Sequence, residues 1–208
     1  MLLLVRSADA GEKQHWQGSD SVRTLSVTGH AEAAGLLVRL EDYPIGRILS
    51  NPTVRCQQTV QPLALDRHLG IEPLPALSVA ADLVVVLALL GGFQAQDAVV
   101  CTHGEVIGQV LGRLVADGLA VDQPLACPKG STWLLDGPDG HFAFGRYLPP
   151  LALADVGIPR SVPWSVQADG RRRYSQRRRR YGATLQSTIP YGEVRADGFA
   201  DDQALERR

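Results

Sequence analysis

The sequence has few cysteines and no long hydrophobic run. Its three cysteines, Cys56, Cys101 and Cys127, form no close pair, which argues against a disulfide framework and favours a reducing compartment. The longest apolar run, LVVVLALL at 83–90, has eight residues and is too short to cross a bilayer. The N-terminal MLLLVR is too short for a secretory signal, since Arg6 interrupts it. These features predict a cytoplasmic protein.

Metal-ligand spacing is also missing from the sequence. Four histidines fall in predicted loops or on predicted surfaces: His15, His30, His68 and His141. None of them is paired at the spacing of a metal site, so we expect no metal and no other cofactor. We expect Cys56 and Cys101 to pack as small apolar side chains.

The charge is distributed unevenly along the chain. The whole sequence has a net charge of −1, but residues 1–150 carry −5 and residues 151–208 carry +4. This asymmetry predicts a folded domain over 1–150, followed by a basic C-terminal tail with poor order. Within the tail, RRRYSQRRRR at 171–180 is either a contact for nucleic acid or an anionic surface, or a solvated run without a function.

Apolar segments alternate with helical patterns in the first 150 residues. Buried strands are predicted at LLLV (2–5), RILS (47–50) and DAVVCT (97–102), and a short edge strand at IEPL (71–74). Helices are predicted from Thr28 to Glu41, at 53–68, at 80–90 before Gly91-Gly92, and at 104–115. Segments 131–135 and 141–147, joined by GPDG, predict a β-hairpin. This alternation predicts an α/β domain with a mostly parallel sheet.

Basic side chains follow the three predicted buried strands. The first strand ends in Arg6 and Ser7, Arg55 lies in the first turn after the second strand, and His103 follows the third. Ligands bind at the carboxyl ends of parallel strands, and two guanidinium groups and an imidazole near helix N-termini suit a tetrahedral dianion. Taken singly, Arg6 could pair with a surface carboxylate, Arg55 could lie on a solvated helix face, and His103 could be a helix cap. Their joint placement favours a phosphate pocket.

Several segments of the first 150 residues resemble the histidine phosphatase superfamily, which includes the phosphoglycerate mutases. The matching segments, in chain order, are LLLVR with the AG that follows, Asp20 to Gly29, RILSNPTVRCQQT, CTHGEVI, KGSTWLL and RYLPP. The sequence is most similar to the SixA-like branch, which acts on phosphohistidine. The resemblance implies a three-layer α/β/α sandwich with a mostly parallel sheet.

The resemblance also implies roles for single residues. In the family a histidine attacks phosphorus, while two arginines and a second histidine hold the phosphate oxygens. Carried over by position, Arg6 and Arg55 are the two phosphate-binding arginines and His103 is the second histidine. The residue in the nucleophile's position is Ser7, and a serine hydroxyl is a poor nucleophile without a neighbouring base.

Four further positions have weaker implied roles. Lys129 matches a lysine near the rim of the family's pocket. Asp20 and Arg23 match a segment beside the pocket, although a local ion pair explains them equally well. Relatives often carry a catalytic carboxylate near Val79; Asp82 is the nearby substitute, with helix capping as its alternative role.

Two departures from the family's catalytic residues lead to one hypothesis. We expect a protein that binds a phosphate monoester or a phosphorylated protein, with hydrolysis lost or weak. One alternative is an active phosphatase, acting on phosphohistidine or a phosphomonoester, in which His103 activates Ser7 or water attacks directly. A second alternative is a nucleic-acid-binding protein that acts through its arginine-rich tail.

Overall fold

The computed structural model describes residues 1–138 and 141–151 and, beyond them, short strands at 165–166, 172–175 and 186–188. Seven strands form one sheet: β1 (Leu2–Arg6), β2 (Arg47–Ser50), β3 (Ile71–Pro73), β4 (Ala98–Thr102), β5 (Ala120–Val121), β6 (Thr132–Asp136) and β7 (Phe144–Leu148). Four helices accompany them: α1 (Val27–Arg39), α2 (Val54–Arg67), α3 (Leu83–Phe93) and α4 (Gly104–Ala116).

The sheet has the strand order β3-β2-β4-β1-β6-β7-β5. The strands β3, β2, β4 and β1 are parallel to one another, whereas β6 is antiparallel to both β1 and β7. Both the mostly parallel sheet and the terminal hairpin predicted from the sequence are therefore confirmed. Since parallel strands share one direction, β1, β2 and β4 have their carboxyl ends at the same edge of the sheet.

Helices cover both faces of the sheet. On β1, Leu2 and Leu4 pack in a cluster with residues of α3 and α4, whereas Leu3 and Val5 pack in a second cluster with residues of α1 and α2. All four side chains are fully buried. A strand that is apolar on both faces is typical of a central parallel strand, and this arrangement confirms the three-layer α/β/α sandwich.

Helix α1 is capped two residues before the predicted position. The Oγ atom of Ser26, not Thr28, caps the helix by accepting a hydrogen bond from the Gly29 N–H at 3.1 Å. Glycine is required at position 29 because a Cβ atom there would lie 1.9 Å from the Asp9 carbonyl oxygen. The N-terminus of α1 thus packs directly on the segment that follows β1.

Helix α3 lies three residues later than the apolar pattern predicted. The Asp82 carboxylate caps it by accepting the Val84 N–H at 2.7 Å, and the helix continues through Gly91 and Gly92 to Phe93. The Phe93 ring packs against the core and under the Arg47 guanidinium, 5.0 Å from the ring centroid. These contacts extend the helix past the two glycines that were predicted to end it.

No helix among the described residues combines the length and the apolar character that a membrane span requires. The chain divides into two compact units, Met1–Ile158 and Pro159–Arg208. In the second unit, three short strands form an antiparallel sheet in the order β10-β9-β8: β8 (Ser165–Val166), β9 (Arg172–Ser175) and β10 (Gln186–Thr188). The rest of the predicted tail, with most of its arginine run, lies outside the described residues.

Candidate active site

The pairing of β1 with β4 sets the position of two predicted site residues. Arg6 lies opposite Thr102 in the parallel register, and the Ser7 N–H continues the ladder by donating to the Thr102 carbonyl at 2.9 Å. Ser7 and His103 therefore follow their strands side by side. Each is only 7% exposed, so both side chains lie near the floor of any site at this edge.

Arg55 reaches the same edge through the turn after β2. The Asn51 side chain shapes this turn, since its Oδ1 accepts the Thr53 N–H at 2.9 Å and its Nδ2 donates to the Leu77 carbonyl at 3.1 Å. Helix α2 begins at Val54, which places Arg55 in the first turn. Only 12% of the Arg55 side chain is exposed.

These residues line one cavity of about 560 Å³. Its lining includes five of the six residues that the sequence singled out for catalysis or phosphate binding: Arg6, Ser7, Arg55, His103 and Lys129. Asp20, Arg23 and Val79 also line it. Within the described part of the chain, no group of three or more His, Cys, Asp and Glu residues is arranged to hold a metal ion.

The Arg6 guanidinium lies against the N-terminus of α4. Its Nη1 donates to the Cys127 carbonyl, and a Cβ atom built on Gly104 would come within 2.8 Å of its Nε and 2.9 Å of its Cζ. Glycine at the start of α4 thus leaves room for the guanidinium. The positive end of a helix and a fixed positive side chain occupy the same part of the cavity, which suits an anion.

Asp20 joins the two other arginines of the cavity. Arg55 donates to the Asp20 main-chain carbonyl at 2.6 Å and lies 3.0 Å from its carboxylate. Arg23 donates to the same carboxylate at 2.9 Å. Burial alone would raise the pKa of Asp20, but the hydrogen bond from Arg23 and the charges of Arg55 and Arg23 lower it. Asp20 and Arg23 therefore form the local ion pair that was the alternative to a place beside the pocket, and both residues also line the cavity.

Lys129 lies at the cavity rim and pairs with a carboxylate that sequence reasoning missed. Its Nζ is 2.5 Å from Oδ1 of Asp9, and the other Asp9 oxygen accepts from Ser26 Oγ at 2.5 Å and from the Gly11 N–H at 3.0 Å. Burial opposes ionisation, yet these hydrogen bonds lower the pKa of Asp9 to about 2. No local sequence pattern predicts this contact, because Lys129 follows Asp9 by 120 positions.

A second missed contact lies beneath the cavity. The Cys56 thiol is fully buried in α2, and its Sγ is 3.8 Å from Nδ1 of His103. Cys56 belongs to the apolar cluster as predicted. A hydrogen bond with Cys101 and the contact with His103 lower the pKa of its thiol against the effect of burial. In the sequence, only the position of Cys56 directly after Arg55 indicates that it lies near the cavity.

Part of the chain matches a known protein family. Residues 2–78, which contain Arg6, Ser7 and Arg55, match the histidine phosphatase superfamily (branch 1). The histidine phosphatase match ends next to Val79, which lines the cavity.

A relative and two solved structures extend the comparison. The chain is 31% identical over 156 residues to an 8-oxo-(d)GTP phosphatase of Mycolicibacterium smegmatis, which covers 72% of this chain but only 48% of the relative. The fold is similar to that of the protein histidine phosphatase SixA complexed with tungstate (TM-score 0.54, 21% identity, 74% of this chain and 98% of that one). It is also similar to the alpha-ribazole phosphatase from Shigella flexneri (TM-score 0.53, 15% identity, 73% and 96%). The chain thus has the fold of histidine phosphatases and spans about half of its curated relative.

The sixth singled-out residue, Asp82, does not lie with the other five. It is not among the residues that line the cavity, and its carboxylate caps α3 through the Val84 N–H. Val79 lines the cavity and is 49% exposed. The carboxylates that do line the cavity include Glu12 and Glu105, neither of which the sequence analysis selected.

We predict a pH dependence of stability from Asp9. Because its pKa falls from 3.8 to about 2 on folding, ionised Asp9 stabilises the folded chain above the unfolded pKa. This contribution is lost as the pH drops from about 4 to about 2. Asp9→Asn should therefore be less stable than the natural chain at pH 7, and the difference should shrink across that window.

Urea unfolding at several pH values measures this difference. Asp122→Asn, at an exposed loop position, controls for the loss of one negative charge and should show no such trend. A difference between Asp9→Asn and the natural chain that stays constant from pH 7 to pH 2 would contradict the assigned contact with Lys129.

Proposed function

We propose that the cavity binds a phosphate monoester, presented by a small molecule or by a phosphorylated protein, and that its hydrolysis is lost or weak. One observation carries the proposal: Arg6, Arg55 and His103, which are far apart in the chain, line the same cavity. Guanidinium groups bind phosphate oxygens in a bidentate manner, and the imidazole adds a third donor.

The electrostatics of the cavity support an anionic ligand. Without a ligand, Arg55 and Arg23 share the Asp20 carboxylate, and Arg6 donates to a neutral carbonyl of Cys127. The cavity lining as a whole carries five positive side chains and three carboxylates, so the carboxylates neutralise only part of the positive charge. A phosphate dianion would supply the missing charge, and the low exposure of Arg55 would strengthen the interaction relative to one in water.

Ser7 supports the second half of the proposal. The family's chemistry needs a histidine at this position, whose pKa near neutrality leaves it available for attack. A serine hydroxyl attacks only when a base removes its proton. Val79 lies near the position at which relatives often carry the acid that protonates the leaving group. By this resemblance the chain keeps the family's phosphate-binding residues but departs from the family at both catalytic positions.

An active phosphatase is the second candidate, since Ser7 and His103 are neighbours at the ends of paired strands. In that case His103 would accept the Ser7 proton. The relative from Mycolicibacterium smegmatis carries the name 8-oxo-(d)GTP phosphatase, so this nucleotide belongs among the compounds to be assayed. Substitutions at position 7 separate the two candidates.

Gly104 provides a test of the binding site that leaves all of its charges in place. Gly104→Ala should displace the Arg6 guanidinium, because the new Cβ atom would come within 2.8 Å of its Nε. The affinity for orthophosphate should fall about tenfold to a hundredfold, as expected for the loss of a hydrogen bond to a charged group. Calorimetric titration with orthophosphate measures the change.

Gly108→Ala is the matched control on the same helix. A Cβ atom at Gly108 meets nothing within 4 Å, so this variant should bind orthophosphate normally and unfold at a higher temperature, since alanine favours the helix by about 1 kcal/mol. Equal affinities of the two variants would exclude Arg6 from the binding site.

Turnover should depend on position 7 in a defined way. The natural chain and Ser7→Ala should both hydrolyse p-nitrophenyl phosphate near the background rate, because neither has an activated nucleophile. Ser7→His should raise the rate by orders of magnitude, since removing a covalent nucleophile typically costs about 10⁴ to 10⁶ in turnover. Steady-state assays with p-nitrophenyl phosphate and with 8-oxo-dGTP provide the measurement. Robust turnover in the natural chain that Ser7→Ala abolishes would make Ser7 a nucleophile and the chain an active phosphatase.

A further inference from the structure

The contact between Cys56 and His103 has a chemical consequence for the cavity. The two groups meet through Sγ and Nδ1 at 3.8 Å, in a place from which solvent is excluded: Cys56 is fully buried and His103 is 7% exposed. With Nδ1 directed at the thiol, Nε2 is the ring nitrogen left for the cavity that His103 lines.

The number of protons on the Cys56–His103 pair decides the character of that second nitrogen. A neutral imidazole nitrogen accepts hydrogen bonds better than a thiol sulfur does, so a neutral thiol donates to Nδ1, and the ring proton then resides on Nε2. If the proton passes from sulfur to nitrogen, a thiolate and an imidazolium form, and Nε2 is again protonated. A pair that keeps both protons therefore presents an N–H donor to the cavity, whereas a thiolate that accepts from Nδ1–H of a neutral ring would leave Nε2 without a proton.

We propose that Cys56 is a positioning residue that keeps His103 as an Nε2–H donor directed at the bound phosphate. This inference rests on the proposed function, since it assigns a role toward the ligand of the same cavity. It also explains why Ser7 lacks a base: an Nε2 atom that already carries a proton cannot accept the one on the Ser7 hydroxyl. One buried thiol would thereby favour binding over nucleophilic attack.

The local structure supports this role. Cys56 lies in the first turn of α2, directly after Arg55, and its N–H donates to the Thr53 carbonyl at 3.1 Å. The same helical turn therefore positions one phosphate-binding arginine and the partner of the phosphate-binding histidine. A change of the side chain at position 56 acts on the imidazole without removing any group that lines the cavity.

Nitrogen-15 NMR of the imidazole rings tests the proposal directly. Long-range proton–nitrogen spectra of the full chain distinguish the two tautomers, and His103→Gln identifies the signals of His103. The natural chain and Cys56→Ser should both show Nε2–H, since a serine hydroxyl also donates to Nδ1. In Cys56→Ala the ring should exchange between both tautomers. An unchanged His103 spectrum in Cys56→Ala would overturn the proposal.

Orthophosphate titration supplies the second readout. Cys56→Ala should bind orthophosphate about three- to tenfold more weakly than the natural chain, the effect of one ordinary hydrogen bond, and Cys56→Ser should recover most of the loss. Val60→Ala, a fully buried position in the same helix and the same apolar cluster, controls for lost core volume and should bind normally. If Val60→Ala loses as much affinity for orthophosphate as Cys56→Ala, Cys56 contributes only packing.

The two hypotheses fail in different ways. If the natural chain does not bind orthophosphate, the proposed function is wrong, whereas the tautomer of His103 still decides whether Cys56 controls the ring. If the natural chain binds and Cys56→Ala binds equally well with an unchanged tautomer, the proposed function stands and the role of Cys56 is refuted.

Discussion

The parallel pairing of β1 with β4 is the constraint on which the site depends. The apolar residues of β1 end at Val5, and the pairing places Arg6 and Ser7 at the edge where His103 precedes α4. A shift of one residue would exchange the side chains of β1 between the two faces of the sheet and would move Arg6 and Ser7 away from Thr102 and His103. The register therefore fixes which side chains meet in the cavity.

A site with several guanidinium groups must remain stable when no anion is bound. The structure meets this requirement with carboxylates and carbonyl groups rather than with solvent alone. Asp20 pairs with Arg23 and Arg55, Asp9 pairs with Lys129, and Arg6 donates to a main-chain carbonyl. Because the carbonyl that faces Arg6 is uncharged and Asp20 is shared by two arginines, the positive charge of these arginines is only partly balanced. A phosphate dianion would balance the rest.

Much of the fold and part of the site could be predicted from the sequence. The buried strands, the hairpin and the basic residues at the strand ends are local patterns, and a parallel sheet brings such strand ends together. The limits of α3 could not be predicted, because an exposed cap at Asp82 and the packing of Phe93 outweigh the glycines. The contacts of Asp9 with Lys129 and of Cys56 with His103 depend on tertiary structure and have no pattern in the sequence.

The same limit applies to the choice between binding and turnover. Position 7 and position 79 can be compared with the family from the sequence alone, but the contact of His103 with a thiol 47 positions away arises only in the fold. In the two proposals, Ser7 and the Cys56–His103 pair act in the same direction. Ser7 would leave the cavity without the family's nucleophile, and Cys56 would keep the neighbouring imidazole from acting as a base.

The most direct measurement of the central claim is a crystal structure of the chain soaked with tungstate, a stable tetrahedral oxyanion. The account predicts one oxyanion in the cavity, within hydrogen-bond distance of both arginine side chains, Arg6 and Arg55, and of Nε2 of His103, with no covalent bond to Ser7. An empty cavity, or an oxyanion that contacts none of these three groups, would contradict it.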